Sequence, residues 1–250
     1  MLLPFFLSAA RGACASVNIA VIVLSVVFSM APPGAQAASP FFENLQLGKK
    51  QTVVLYGTSL TSGGEWAKAV RTWFDVTYPG LVNVVNSAGP GQNSDWGLKN
   101  LNARVLNHQP DLVFLEFSYN DASEKFQLPL ERGMQNLDAM VEALEGRNPG
   151  ITIVLQIMNI AWNAPNGNRS ASTRPQLEAF NDNYRTCARL HSMVLLDHYP
   201  NWRQLKETEP KVFESYVPDG THPNAMGSLK VTWPVVKGWL ESQRKLALAP

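Results

Sequence analysis

Five short runs of nearly continuous apolar residues punctuate the chain, at 53–56, 81–86, 112–117, 151–157 and 193–196. They do not alternate apolar with polar positions, as a strand wetted on one face would. Each therefore predicts a strand covered on both faces. Between them, apolar residues recur at helical spacing. The stretch 65–78 carries Trp66, Ala69, Val70, Trp73 and Phe74. The stretch 130–144 carries Met134, Leu137, Met140, Val141 and Leu144, and 176–190 carries Leu177, Phe180, Tyr184, Cys187 and Leu190. Residues 228–248 predict a terminal helix, bent or interrupted at Pro234, because proline has no N–H for the helical ladder. Strands alternating with helices predict an α/β protein with a mainly parallel five-stranded sheet and helices on both faces. In such sheets the site lies at the carboxyl ends of the strands.

The first forty residues follow a different pattern. Arg11 is the only charged residue before Glu43. An apolar run at 19–28 is followed by Pro32, Pro33 and Gly34, then by Ala35-Gln36-Ala37. A basic start, a short apolar region and a small-x-small ending describe a secretory signal peptide. The run is shorter than the roughly 20 residues that cross a bilayer. The expected organisation is a signal peptide at 1–37 and one domain at 38–250, with a secreted or periplasmic location. The alternative is an uncleaved amino-terminal tether, the one case that would bring in a membrane. Cleavage after Ala37 leaves equal numbers of basic and acidic residues, 20 of each, and removes Cys14. Cys187 then stands alone, so no internal disulfide is expected and the thiol is expected to be buried and inert.

Composition narrows the function. The 250 residues are 45% hydrophobic and 16% charged, with a net charge of +1. Nucleic-acid binders usually carry a basic excess, so no nucleic-acid partner is expected. Two cysteines exclude a Cys-rich zinc site, and no phosphate loop or dinucleotide fingerprint is present.

Candidate chemistry sits where the strands end. Gly57-Thr58-Ser59-Leu60-Thr61 follows the first run. A serine there lies near a helix amino end, which suits a nucleophile that will carry an oxyanion, although a helix cap is the commoner role. Asn86 and Gly91 follow the second run, and Ser118-Tyr119-Asn120-Asp121 follows the third. An Asn side chain can donate an N–H to a developing oxyanion. Near the carboxyl end comes Asp219-Gly220-Thr221-His222. Of the four histidines, only His222 has an Asp three residues ahead in a Gly- and Pro-flanked loop. Such a carboxylate can hold the imidazole in one tautomer.

These four blocks, in this order, resemble the SGNH (GDSL-like) hydrolase superfamily. The Gly57-Thr58-Ser59-Leu60 block is similar to its Gly-Asp-Ser-Leu, Asn86 with Gly91 to its second block, Ser118 to Asp121 to its Gly-x-Asn-Asp, and Asp219 to His222 to its Asp-x-x-His. The resemblance implies a three-layer α/β/α, flavodoxin-like sheet and a serine hydrolase that needs no cofactor and no metal. It implies Ser59 as nucleophile, His222 as base and then acid, and Asp219 as the residue that orients His222. It also implies an oxyanion hole made by the backbone N–H groups of Ser59 and Gly91 and the amide of Asn120. Thr58 stands where the family has Asp, and Ser118 where it has Gly. Neither change removes a reacting group.

The expected substrate is a small-molecule or polysaccharide ester with a short acyl group, acetyl foremost, on a carbohydrate. Trp96 and Trp162 are candidates to stack on sugar rings, with packing as the alternative, and the small, polar stretch 161–174 is expected to form a lip of the site. A lipase, lysophospholipase or thioesterase on the same machinery, and a glycan-binding relative without activity, are the alternatives.

Overall fold

The computed structural model describes residues 38–249. The signal-peptide reading of 1–37, with Cys14, lies outside the described residues. In chain order, helix α1 (Pro40–Gln46) precedes β1 (Gln51–Gly57), α2 (Ser59–Ser62) and α3 (Glu65–Thr77). Then come β2 (Val82–Asn86), α4 (Ser94–Arg104), β3 (Leu112–Glu116), α5 (Ser118–Asp121) and α6 (Leu130–Arg147). The remainder is β4 (Thr152–Ile157), α7 (Leu177–Leu190), β5 (Val194–Asp197), α8 (Tyr199–Thr208), α9 (Pro210–Tyr216), α10 (Ala225–Gly227) and α11 (Trp233–Ala247). All five expected strands form, and every pairing is parallel, in the order β2-β1-β3-β4-β5.

The apolar runs explain why this sheet is sandwiched. Val53, Leu55, Leu112, Phe114 and Val154 point to one face, where they pack with α1, α3 and α11. Val54, Tyr56, Val113, Leu115 and Leu155 point to the other, against α4, α6 and α7. Both sets are essentially inaccessible to solvent. Fully burying one such aliphatic or Phe side chain is worth about 1.5–3 kcal/mol. Cys187 is free and buried on the second face. Burial, with Asp138 nearby, pushes its thiol up to about 12. No helix among the described residues is long and apolar enough to cross a membrane.

The terminal helix is irregular just before Pro234 and continuous after it. Residues Ser228–Thr232 form a π turn, and Pro234 sits in the first turn of α11. An α-ladder at Pro234 would need an N–H for the Lys230 carbonyl, which proline lacks; in a first turn that N–H is dispensable. Helix α4 was not expected from periodicity, because only Ser94, Gly97 and Leu101 are buried along it. Caps start it instead: Asn93 Oδ1 accepts the Trp96 N–H at 3.2 Å, and Asp121 Oδ1 accepts the Ser94 N–H at 2.7 Å.

The strand order sets the site. From β1 the chain moves outward to β2, then returns to β3 on the other side of β1. The connections after β1 and β3 therefore leave in opposite directions, opening a crevice between Gly57 and Glu116, which pair directly.

Candidate active site

A buried carboxyl group organises the turn after β1. Gly57 abuts Glu116 so closely that a Cβ there would strike its carboxyl. Glu116 Oε1 accepts the Thr58 N–H at 2.6 Å, the Thr58 hydroxyl at 2.9 Å and the Thr61 hydroxyl at 2.7 Å. Thr58 Oγ1 also accepts the Leu60 N–H at 3.1 Å, capping α2. Ser59, between these anchors, is the first residue of α2. Burial pushes the Glu116 carboxyl up to about 7, against the opposing effect of its three donors.

The loop before α10 brings in the second group. Ser59 Oγ lies 2.8 Å from His222 Nε2, and His222 Nδ1 lies 2.7 Å from Asp219 Oδ2. A carboxylate beside Nδ1 requires the proton there, which leaves the Nε2 lone pair to accept the Ser59 hydroxyl. Asp219 Oδ1 accepts the N–H groups of Thr221 (2.8 Å) and His222 (2.7 Å), so the loop folds around its own carboxylate. Gly220 makes this possible, with φ of 85° and close approach to the Asn168 and Trp162 carbonyls. Burial raises the Asp219 carboxyl, but the hydrogen bonds from the His222 ring and the two N–H groups outweigh it and hold it below its ordinary value. Asn159 Nδ2 supports the loop by donating to the Thr221 carbonyl at 2.9 Å.

Three donor-bearing residues, Ser59, Gly91 and Asn120, line the same cavity. The Ser59 N–H and that of Gly91 have no acceptor among the described residues. Gly91 has φ of 69°, the left-handed region that favours glycine. Asn120 Nδ2 donates to the Gln92 carbonyl at 2.8 Å, leaving its second amide hydrogen free. Ser59, Gly91, Asn120 and His222 line one cavity of about 350 Å³. Ser118 buries its hydroxyl against Asn181 Oδ1 at 2.9 Å, fixing the turn that presents Asn120. Asn86 ties the end of β2 to α2, donating to the Thr61 carbonyl at 3.2 Å.

A second cavity, of about 340 Å³, borders Ser59 and His222 from the other side. Its walls include Leu60, Trp66, Pro90, Met158 and Pro223. A larger cavity, about 550 Å³, lies near Lys50, Asp111 and Arg147 at the amino ends of the strands. It shares no residue with either, so size does not mark the site here.

The structure thus gathers Ser59, Gly91, Asn120, Asp219 and His222. The two candidate sugar-stacking tryptophans are placed otherwise. Trp96 packs 5.9 Å from Tyr56 with Arg104 over its face. Trp162 donates Nε1–H to the Val217 carbonyl at 2.7 Å and meets Phe213 edge-on. Neither lines the cavities beside Ser59. Both sit after strand ends, and both were absorbed by packing there. The 161–174 stretch does reach the site, through Asn168, Arg169, Ser170, Thr173 and Arg174. Sequence reasoning missed Glu116, although it is the one charged residue in an apolar run. It included Arg174 in the 161–174 stretch without singling it out. Asp138, Cys187 and His191, between α6 and α7, are the one set of three or more His, Cys, Asp or Glu residues among the described residues whose ligand atoms all come within 4.8 Å of one another; none lines the Ser59 cavities.

A family model described as the GDSL-like lipase/acylhydrolase family matches residues 55–229. No curated protein matches. Among solved structures, a lipase/acylhydrolase from Enterococcus faecalis is similar at 21% identity and a TM-score of 0.63, covering 77% of this chain and 96% of its own. An acetylxylan esterase from Geobacillus stearothermophilus is 16% identical with a TM-score of 0.62, over 78% of this chain and 94% of its own. A two-domain esterase active on acetylated mannans is 19% identical with a TM-score of 0.61, over 83% of this chain and 54% of its own.

Proposed function

The chain belongs to the GDSL-like lipase/acylhydrolase family and is an ester-hydrolysing enzyme; on that premise we propose that it is an exported serine esterase that removes short acyl groups, acetyl foremost, from a saccharide. The observation that carries the mechanism is the unbroken hydrogen-bonded chain from Ser59 through His222 to Asp219.

In this reading His222 Nε2 takes the Ser59 proton as Oγ attacks the ester carbonyl carbon. The carbonyl oxygen becomes an oxyanion, held by the Ser59 and Gly91 N–H groups and the Asn120 amide. Asp219 keeps the proton on Nδ1 and stabilises the imidazolium. The tetrahedral intermediate collapses, the ester C–O bond breaks, and His222 gives its proton to the leaving alcohol. Water, deprotonated by the same nitrogen, then attacks the acyl-Ser59 carbonyl. Collapse releases the carboxylic acid and returns the proton to Ser59. Every step uses groups of this chain and water.

Support for the saccharide comes from the cleft. Apart from Phe126 and Gly91, the residues lining the 350 Å³ cavity carry a hydroxyl, amide, imidazole or charged group, which can hydrogen-bond sugar hydroxyls. The likeness to esterases of acetylated xylan and mannan points the same way. Support for export comes from the signal-like pattern of residues 1–37. A second reading, a hydrolase of longer acyl chains, is favoured by the apolar 340 Å³ cavity, which has room for more than an acetyl group.

The test is hydrolysis of p-nitrophenyl acetate, butyrate and octanoate by the wild-type protein and by Ser59→Ala. Turnover that disappears in Ser59→Ala and falls with chain length supports the short-acyl reading. Preference for octanoate moves the enzyme to the second reading, and turnover that persists in Ser59→Ala refutes the nucleophile. Cell fractionation and amino-terminal sequencing of the exported protein, expected to begin at Ala38, test the location.

A further inference from the structure

The two cavities flanking Ser59 differ in chemistry. One is walled by Leu60, Trp66, Pro90 and Met158, and suits an acyl chain. The other is closed by two segments that meet where the Glu124 N–H donates to the Thr173 carbonyl at 3.0 Å. It carries Lys125, Arg169 and Arg174 against a single acidic side chain, Glu124, apart from the Ser59 and His222 it shares with the first. None of these three cations, nor Glu124, is in an ion pair among the described residues. An excess of two positive charges therefore lines this cavity, which in the saccharide-ester reading receives the alcohol half of the substrate.

Arg174 is the informative member. Its guanidinium stacks 4.5 Å from the Tyr119 ring, and Nε donates to the Tyr119 carbonyl at 2.9 Å. One further contact, Nη1 to Thr173 Oγ1 at 3.3 Å, leaves most of its donors unused. Stacking and the backbone bond hold the fork in place, one residue from Asn120 on α5. The group is half-buried, and burial lowers its pKa with no carboxylate to offset it. A fixed, partly desolvated and unpaired guanidinium in a substrate cavity is arranged for an oxyanion, which it can hold in bidentate fashion.

We propose that the alcohol half of the natural substrate is anionic: an O-acylated saccharide bearing a carboxylate, as in a uronic acid, with Arg174 as its principal contact and Arg169 and Lys125 adding long-range attraction. This rests on the saccharide-ester reading above and deepens it. A neutral sugar would leave the guanidinium unpaired, whereas a carboxylate exchanges the same water for a charge-assisted bond.

The decisive experiment is equilibrium binding to the Ser59→Ala protein, which needs no turnover. The ligands are a mono-O-acetylated methyl glucuronoside and the matching glucoside, identical except for carboxylate in place of hydroxymethyl. A charge-assisted hydrogen bond contributes about 1.5–3 kcal/mol, so the glucuronoside should bind at least about tenfold more tightly at low ionic strength. Added salt should shrink the ratio, and adding Arg174→Gln should bring it close to one while changing glucoside binding little by comparison. Equal binding of the two sugars, a preference for the glucoside, or no binding of either at millimolar concentration overturns the proposal. So does a ratio that survives both Arg174→Gln and Arg169→Gln. A 6-sulfated glucoside forms a third arm: binding tighter than the glucuronoside replaces the carboxylate with a sulfate ester. Parallel p-nitrophenyl acetate assays on the Ser59-containing enzyme separate the two failures. Absent Ser59-dependent turnover refutes the mechanism, whereas intact turnover with no anion preference refutes only this inference.

Discussion

Glu116 should make the protein less stable as pH rises through neutrality, and Glu116→Gln should remove that effect. The carboxyl lies at the end of β3, fully out of water, with no cation beside it. Desolvation pushes it from an ordinary 4.5 to about 7. Between those values the native state holds a proton that the unfolded chain has released. Stability therefore falls as pH rises across the window. At ~1.4 kcal/mol per pH unit, the full effect is about 3 kcal/mol, of which about 2–3 kcal/mol falls between pH 5 and 8. Gln keeps the oxygen that accepts from Thr58 and Thr61, so the turn should stay folded.

Asp121 carries the same sign, since burial pushes it too up to about 7. Asp219 carries the opposite sign, because its folded value is depressed; its stabilisation is present above 3.8 and lost toward acid, outside the window. The readout is therefore the difference between Glu116→Gln and wild type, measured by urea unfolding with Trp fluorescence at pH 5, 6, 7 and 8 and constant ionic strength. That difference should move in favour of the variant by about 2–3 kcal/mol from pH 5 to pH 8. A flat difference, or one moving the other way, would mean that Glu116 is ionised in the folded protein at pH 5 and that desolvation does not dominate there.

Asn120→Ala should lower kcat for p-nitrophenyl acetate by about a hundred- to a thousand-fold with little change in KM, because the lost donor acts mainly on the transition state; an unchanged kcat refutes its role. Asp219→Asn should lower kcat by up to about 10⁴-fold, since its amide would face Nδ1 and disfavour the tautomer that accepts the Ser59 proton, and hydrolysis at wild-type rate would show that the carboxylate is dispensable. Cys187 should resist a disulfide reagent at pH 8 in the native protein and react at once in denaturant, given its burial and raised pKa; rapid native labelling would contradict the packing of α7.

The strands and most of the packed helices could be read from the sequence for one reason. Strands buried on both faces need unbroken apolar runs, as β1, β3 and β4 show; the runs of β2 and β5 also became strands, but as sheet edges they are only partly buried, not covered on both faces as expected. Helix α4 escaped because it is started by side chains distant in sequence, notably Asp121, and buries little apolar surface. Helices α8 and α9 escaped for a related reason. Their main anchors, Trp202 and Phe213, join Ile160 and Val217 in a small separate cluster, so neither helix shows a full apolar stripe. Ser59, Gly91, Asn120 and His222, which the fold brings to one cavity, could be singled out because each follows a strand or sits in a short glycine-bearing loop. Arg169 and Arg174 fall in the 161–174 stretch expected to border the site, though neither was singled out as a cation, and Lys125 had no signal because its segment meets that stretch only in the fold.

The two departures from the family pattern have a common physical resolution. Replacing an Asp by Thr58 removes a carboxylate from the turn that carries Ser59, yet the turn still needs an acceptor for its buried N–H and hydroxyl groups. Glu116 supplies one from the neighbouring strand, and the Thr58 hydroxyl donates to it while capping α2. Replacing a Gly by Ser118 adds a hydroxyl to a crowded turn, and Asn181 on α7 takes it up. In both cases a buried polar group is matched by a partner distant in the sequence, as burial demands. A change in the motif is therefore weak evidence about activity until the partner is known. Here the partners keep the Ser59 backbone and the Asn120 turn in place, and the protein departs from the motif in its supports while keeping every group assigned to the proposed reaction.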